Sequence, residues 1–184
     1  MKQLFILFVF LNSVSSSWGI EKIDNLFEIT LNDNAEKYVS SSYIDSNKYK
    51  HPEVIEGFYN LDITDKIKTK NPHFSYYVIT IDNNNRIHRV YADDELKNND
   101  ICLAVKDSLS SKFEIKYQFK FQSGEQSYSD FKISADYHYI YGSIAEYLSI
   151  QCKDVYENTS SYFQIYLQTL KLGSAIDEFY DFGL

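Results

Sequence analysis

The segment Phe113-Glu114-Ile115-Lys116-Tyr117-Gln118-Phe119-Lys120-Phe121 alternates strictly between apolar and polar residues. In an extended chain its aromatic and branched side chains would all point to one side and its charged and amide side chains to the other. A period of two with such residues is typical of a strand with one buried face. We therefore expect a strand here, followed by a turn at Gln122–Glu125, where Gly124 supplies a positive φ, and by a return strand through Phe131.

Other segments also have the composition of strands. Phe74–Ile81 and Arg86–Tyr91 flank the turn residues Asp82-Asn83-Asn84-Asn85. They predict a second hairpin, because Asn and Asp tolerate left-handed backbone conformations. The short apolar run Ile101–Val105 predicts a buried central strand, and Ser161–Lys171 alternates as a further strand.

Short strands with turns between them favour an all-β fold, and we predict an antiparallel sandwich. The alternation of Ile144, Glu146, Leu148 and Ile150 adds a strand that leads to Cys152. A short C-terminal helix is also expected, opening at Ser174–Asp177 after Gly173.

Two families offer a resemblance. The chain length and the helix predicted after Gly173 resemble the lipocalins, so a lipocalin-like barrel around a small-ligand cavity is the alternative architecture. The lipocalin Gly-x-Trp start is absent, since Trp18-Gly19 has the reverse order. The separation of Cys102 and Cys152 resembles the bridge of immunoglobulin domains, but no Trp lies between the two cysteines and Ile150 stands where the corner tyrosine would be. Neither resemblance assigns a functional site to residues of this chain.

The N-terminal residues have the pattern of a signal peptide. Lys2 supplies a positive charge, Leu4–Leu11 is an unbroken apolar run, and Ser15 and Ser17 satisfy the small-residue rule for cleavage before Trp18. The run is much shorter than the ~20 residues that a membrane span needs. We expect residues 1–17 to be removed and residues 18–184 to form one β-rich domain, secreted or held in the lumen of the secretory pathway, without a membrane span.

The cysteines and one asparagine fit such a compartment. Cys102 and Cys152 are the only two cysteines, and an even number in an oxidising environment predicts a disulfide. Asn158-Thr159-Ser160 is the single glycosylation sequon, which predicts a sugar on Asn158.

Charge and motifs argue against several functions. Lys and Arg number 18 against 26 Asp and Glu, a net charge of -8, whereas a nucleic-acid binder needs a basic patch. The chain has no Gly-x-Ser-x-Gly, no His-Glu-x-x-His and no phosphate loop. We expect no metal, no cofactor and no catalytic centre, with His88 and His138 at solvent-facing strand positions. A secreted hydrolase is the third hypothesis, and it requires these two histidines in one pocket with a carboxylate.

Tyrosine is the unusual feature of the composition, with 17 Tyr beside 13 Phe. AT-rich coding sequence accounts for this abundance, but it does not place the rings. Tyr137, Tyr139 and Tyr141 fall on one face of a predicted strand, and tyrosine is frequent at recognition surfaces. We predict a non-catalytic binding protein that recognises a protein or a glycan through a sheet face or loops, with these three tyrosines as binding residues. The alternative is an extracellular carrier of a small hydrophobic ligand in a barrel cavity.

Overall fold

The computed structural model describes residues 23–50, 55–68, 70–140, 145–156 and 160–181. The strands in these ranges are Asn25–Leu26 (β1), Ile29–Thr30 (β2), Tyr49–Lys50 (β3), Phe58–Asp62 (β4), Tyr76–Asp82 (β5), Ile87–Leu96 (β6), Gln122–Ser127 (β7), Phe131–Tyr139 (β8), Ala145–Val155 (β9) and Ser161–Thr169 (β10). The helices are Ser41–Asn47 (α1), Asn99–Tyr117 (α2) and Leu170–Asp181 (α3), with a 3-10 helix at Ala35–Lys37. The predicted signal peptide at 1–17, Tyr141 and Asn158 lie outside the described residues.

One large sheet dominates the fold. Eight of the described strands form it in the order β3-β4-β5-β6-β10-β9-β8-β7, and every neighbouring pair is antiparallel. Strands β1 and β2 form a separate hairpin. The prediction of an antiparallel, mostly β chain with a short C-terminal helix is confirmed. The large sheet stays open in the described part of the chain, because its edge strands β3 and β7 do not pair with each other.

The hydrophobic core lies on one face of the large sheet. Alternate residues of β10 point into it, and Phe163, Ile165 and Leu167 are buried almost completely. Burial of such a side chain contributes roughly 1.5–3 kcal/mol. The β1–β2 hairpin adds Leu26 and Ile29 to the same core, so the layer that covers the sheet combines a small second sheet with helix α2.

Helix α2 overturns two strand predictions, Ile101–Val105 and the first part of Phe113–Phe121. The Asn98 side chain caps the helix by accepting a hydrogen bond from the Ile101 N–H at 3.0 Å, and Gln118 ends it in the left-handed region. The buried positions of α2 follow helical spacing and not alternation: Cys102, Lys106, Ser110 and Tyr117. Ile115, which the strand prediction placed in the core, is 80% exposed.

The predicted disulfide between Cys102 and Cys152 is present, with a Cα–Cα distance of 5.9 Å. It joins helix α2 to strand β9, not two strands as the sequence suggested. A cross-link over a separation of 50 residues restricts the unfolded chain and thereby stabilises the fold.

A buried ion pair also fixes α2 on the sheet. Lys106 Nζ lies 2.9 Å from Asp136 Oδ2 of β8, and the two side chains are 9% and 7% exposed. Ser110 of the helix and Ser123 of β7 each donate a hydrogen bond of 2.7 Å to the same carboxylate. Such a carboxylate is satisfied on all sides, which is what burial of a charge requires.

The second half of the first predicted hairpin is shifted along the chain. Gln122–Glu125, predicted as the turn, is part of strand β7. The turn comes later, where the Tyr128 N–H donates to the Phe131 carbonyl oxygen at 2.8 Å. The hairpin predicted around Asp82–Asn85 is confirmed as β5 and β6, and Asp82 Oδ1 accepts from the N–H groups of Asn84 and Arg86 in its turn. None of the described helices is both long and apolar enough to cross a membrane.

Candidate functional site

The second face of the large sheet carries aromatic and amide side chains. Since cross-strand partners point to the same face, the strand registers align them in rows. One row runs through Tyr137, Ser149, Tyr166 and Tyr91. The row on one side of it holds Tyr139, Tyr147, Gln168 and Arg89, and the row on the other side holds Gly124, Ala135, Gln151, Gln164 and Asp93.

Four tyrosine rings on this face form a continuous cluster. The ring centroids of Tyr137 and Tyr139 lie 5.9 Å apart, those of Tyr139 and Tyr147 5.3 Å, and those of Tyr147 and Tyr166 5.6 Å. These separations are typical of favourable aromatic pairs. At the edge of this cluster the Tyr137 ring lies beside Gly124, where a Cβ atom would meet Tyr137 Cε1 at 3.4 Å.

A groove of about 670 Å³ opens over these rows, and we call it the tyrosine groove. Tyrosine and glutamine dominate its described lining, which also includes one arginine and one carboxylate. The tyrosines and glutamines are Tyr91, Tyr128, Tyr137, Tyr139, Tyr147, Tyr166, Gln126, Gln151, Gln164 and Gln168. The other lining residues are Arg89, Gly124, Glu125, Ile133, Ala135, Gly173 and Ile176.

Arg89 is held in place at one end of the groove. Its guanidinium lies over the Tyr166 ring, 5.4 Å from the centroid, and its Nε and Nη2 donate to Gln168 Oε1 at 3.2 and 2.9 Å. A cation over an aromatic face is attracted by the ring quadrupole. Arg89 therefore orients two groove side chains as well as lining the groove itself.

A chain of hydrogen bonds runs along the floor of the groove. Tyr91 Oη donates to Asp93 Oδ2, Gln164 Nε2 donates to Tyr91 Oη at 2.7 Å, and Gln151 Nε2 donates to Gln164 Oε1 at 2.7 Å. Burial, together with Asp93, raises the pKa of Tyr91 well above its usual range, so this phenol keeps the proton that it donates. Burial likewise raises the pKa of Asp93 above its ordinary value.

Tyr147, one of the four rings, and Ser149 beside it are both shielded from water to a large extent. Burial raises the pKa of the Tyr147 phenol, which therefore stays neutral. Ser149 is fully buried in the row between Tyr137 and Tyr166, with its hydroxyl beside the Tyr147 phenol.

Helix α3 walls the groove at Gly173 and Ile176 and is docked over a buried polar cluster. His88 is the extra residue of a bulge in β6, since Thr80 and Ile81 pair with Arg89 and Ile87. His88 Nδ1 lies 2.9 Å from Thr169 Oγ1, and its Nε2 lies 3.3 Å from Asp82 Oδ2. Lys171 of α3 contacts the same Asp82 oxygen at 3.3 Å.

The expectation of solvent-facing histidines is wrong for His88, which is 3% exposed because the bulge turns its ring towards Phe58. Burial lowers the pKa of His88 despite its contact with Asp82. His138 is half-buried and stacks on Phe119 at 3.9 Å. The described lining of the tyrosine groove contains neither histidine, so the pocket that the hydrolase hypothesis requires is not formed there.

Two of the three tyrosines predicted as binding residues, Tyr137 and Tyr139, line the tyrosine groove. Tyr91, Tyr147 and Tyr166 also line the groove, and they were not predicted from the sequence. A usable signal existed in strand β10, where Gln164, Tyr166 and Gln168 alternate with core residues and must face away from the core.

Comparison of the chain with protein-family models, with curated proteins and with solved structures finds no match in any of the three.

Proposed function

We propose that this chain is an exported, non-catalytic binding protein whose tyrosine groove takes an uncharged glycan. The observation that carries the proposal is the cluster of Tyr137, Tyr139, Tyr147 and Tyr166 beside glutamine amides in one open groove. Aromatic rings present flat apolar faces to the C–H groups of a sugar ring. Glutamine amides offer both donors and acceptors to its hydroxyl groups.

The size and charge of the groove favour a glycan over a protein surface. A volume of about 670 Å³ lies within the range of small-ligand sites, and it suits a short oligosaccharide better than the flat area of ~800 Å² that each partner buries in a standard protein interface. The chain carries a net charge of -8, yet Arg89 and Glu125 are the charged residues in the described lining. A neutral, polar ligand matches this lining.

The groove lining gives less support to the two other hypotheses, a carrier of a hydrophobic ligand and a secreted hydrolase. A wholly hydrophobic ligand would leave the terminal acceptor of the groove's amide chain, Gln151 Oε1, without a donor, which argues against the carrier. Glycoside hydrolysis uses a pair of carboxylates across the scissile bond. The Glu125 carboxylate of the described lining is bonded to Lys132 and Ser134, and the Asp93 carboxyl at the groove floor is bonded to Tyr91. Binding without turnover is the better supported reading. The formed disulfide supports export, with residues 1–17 as the signal peptide and Asn158 as a glycosylation site.

The test is binding of the folded chain to an immobilised panel of neutral, acidic and basic oligosaccharides. We expect saturable binding to neutral members, and a loss of at least about tenfold in affinity, or about 1.4 kcal/mol, for Tyr147→Ala. The matched control is Tyr156→Ala, since Tyr156 is 53% exposed and does not belong to the groove lining. Binding to no neutral glycan, or an equal loss in both variants, would overturn the proposal.

A further inference from the structure

Ala135 is the small side chain of the row that also holds Gly124, Gln151 and Gln164 in the floor of the tyrosine groove. All four residues line the groove, and Ala135 lies between two larger neighbours on the same face of β8, Ile133 and Tyr137. Because Ala135 carries only a methyl group, the surface of the groove floor is lower there than over Ile133 and Tyr137, which leaves a depression. The depression is apolar and lies directly across the strand from the Gln151 amide.

The hydrogen-bond chain decides which atom of Gln151 faces a ligand. The Asp93 carboxylate only accepts, so the Tyr91 hydroxyl proton is committed to it. The Gln164 atom next to Tyr91 Oη must therefore be the amide nitrogen, which turns Gln164 Oε1 towards Gln151. Gln151 in turn donates through Nε2, and its Oε1 is left as the terminal acceptor, to which no described residue donates.

We propose that the tyrosine groove selects glycans that contain N-acetylhexosamine, with the acetamido N–H donating to Gln151 Oε1 and the acetyl methyl group seated over Ala135. This inference rests on the proposed function and names the sugar class for the same groove. In an acetamido group, an N–H donor and a small apolar methyl group are attached to the same carbonyl carbon. A sugar hydroxyl can also donate to Gln151, but it leaves the depression over Ala135 unfilled and so gains less from burial.

The sugar ring that carries the acetamido group would pack on the neighbouring aromatic row. Tyr137 is two residues from Ala135 on β8 and lines the groove beside it. A pyranose over Tyr137 therefore places a ring substituent within reach of Ala135 and Gln151. The direction of the amide chain is fixed before the ligand arrives, and this preorganisation reduces the entropic cost of binding.

The test compares two trisaccharides with the same β-1,4 linkage and gluco configuration by isothermal titration calorimetry: N,N′,N″-triacetylchitotriose, and cellotriose, which lacks the acetamido groups. We expect the acetylated sugar to bind at least about tenfold more tightly than cellotriose. Gln151→Leu should lower affinity for the acetylated sugar at least about tenfold and affinity for cellotriose by a smaller factor, because a hydroxyl of cellotriose also loses an acceptor. The matched control is Gln118→Leu at the end of α2, whose side chain is exposed and does not belong to the groove lining.

The outcomes separate this inference from the function on which it rests. Equal affinity for the two sugars, or an equal loss for both in Gln151→Leu, overturns the selection for N-acetylhexosamine and leaves the glycan-binding proposal standing. Binding of neither trisaccharide, together with binding of unacetylated members of the glycan panel, also overturns the selection alone. Failure of every neutral glycan overturns both.

Discussion

The two faces of strand β10 show how one strand serves the core and the groove. Phe163, Ile165 and Leu167 enter the core and are buried almost completely. Gln164 and Tyr166 alternate with them, face the tyrosine groove and remain partly exposed. The first set gains its free energy from burial of apolar area, whereas the second set presents polar tips and ring faces. Stability and binding therefore rest on adjacent residues and can be changed separately.

Removal of the disulfide on the core face is expected to have the largest effect. The variant Cys102→Ser with Cys152→Ser should lose roughly 4 kcal/mol of unfolding free energy, because the unfolded chain is no longer cross-linked. Urea denaturation followed by circular dichroism measures this loss. Below the unfolding transition the variant should still bind the glycan, since neither cysteine contacts the groove. An unchanged urea midpoint would contradict the role given to the bridge.

The same isoleucine-to-alanine substitution can be made at a core position of β10 and at a position of α2 that the alternating sequence wrongly placed in the core. Ile165→Ala should cost about 3 kcal/mol, because Ile165 is 1% exposed. Ile115→Ala should cost less than about 0.5 kcal/mol, because Ile115 is 80% exposed. Thermal and urea unfolding of both variants provides the measurement. Comparable losses would mean that Ile115 is buried and that the alternating segment is a strand after all.

The buried ion pair between Lys106 of α2 and Asp136 of β8, which we call the polar anchor of α2, predicts a dependence of stability on pH. Burial alone would raise the pKa of Asp136, but hydrogen bonds from Lys106, Ser110 and Ser123 outweigh burial and lower this pKa below its ordinary value of 3.8. The stabilisation is therefore present above pH 3.8 and is lost as the pH falls through the lower pKa of the folded state.

Asp136→Asn tests this anchor directly. It should cost about 2 kcal/mol at pH 7, since Lys106 keeps its charge but loses its buried partner. Its stability should also fall less steeply than that of the wild type between pH 4.5 and the acid limit of folding, as measured by urea unfolding at a series of pH values. Parallel pH profiles for the two proteins would contradict the account.

The smallest effect on stability is expected on the groove face. Tyr166→Ala should lower the unfolding free energy by less than about 1 kcal/mol, because the ring is partly exposed and packs mainly on Tyr147 and Arg89. Its glycan affinity should nevertheless fall at least about tenfold, or about 1.4 kcal/mol. Calorimetric titration and thermal unfolding of the same preparation give both values. A large loss of stability with unchanged affinity would mean that Tyr166 contributes to folding and not to glycan binding, which would contradict the roles given to the two faces.

The sequence predicted the strands of the hairpin around Asp82–Asn85 and strand β10, because turn residues and alternation agree there with the tertiary structure. It failed for α2, where alternation over Phe113–Phe121 has no structural counterpart. The buried side of that helix includes Lys106 and Ser110. Their burial depends on Asp136 in a distant strand, which no local pattern reveals. The Asn98 cap was the local signal for a helix.

The groove could be predicted only in part for a related reason. Alternation within β8 placed Tyr137 and Tyr139 on one face, and the structure puts both in the groove lining. The cluster with Tyr147 and Tyr166 depends on the order β8-β9-β10 and on the register of the strands. The hydrogen-bond chain from Asp93 to Gln151 crosses three strands. Such long-range pairings are set by the fold as a whole.

The most direct test of the account is nuclear magnetic resonance of the protein labelled on its tyrosine rings, titrated with a neutral oligosaccharide that it binds. We expect saturable shifts for the ring signals of Tyr137, Tyr139, Tyr147 and Tyr166. Signals of Tyr77, which is buried in the core, and of Tyr43, which donates to the Asp62 carbonyl oxygen away from the groove, should stay in place. Shifts confined to tyrosines outside the groove, with the four groove signals unmoved, would contradict it.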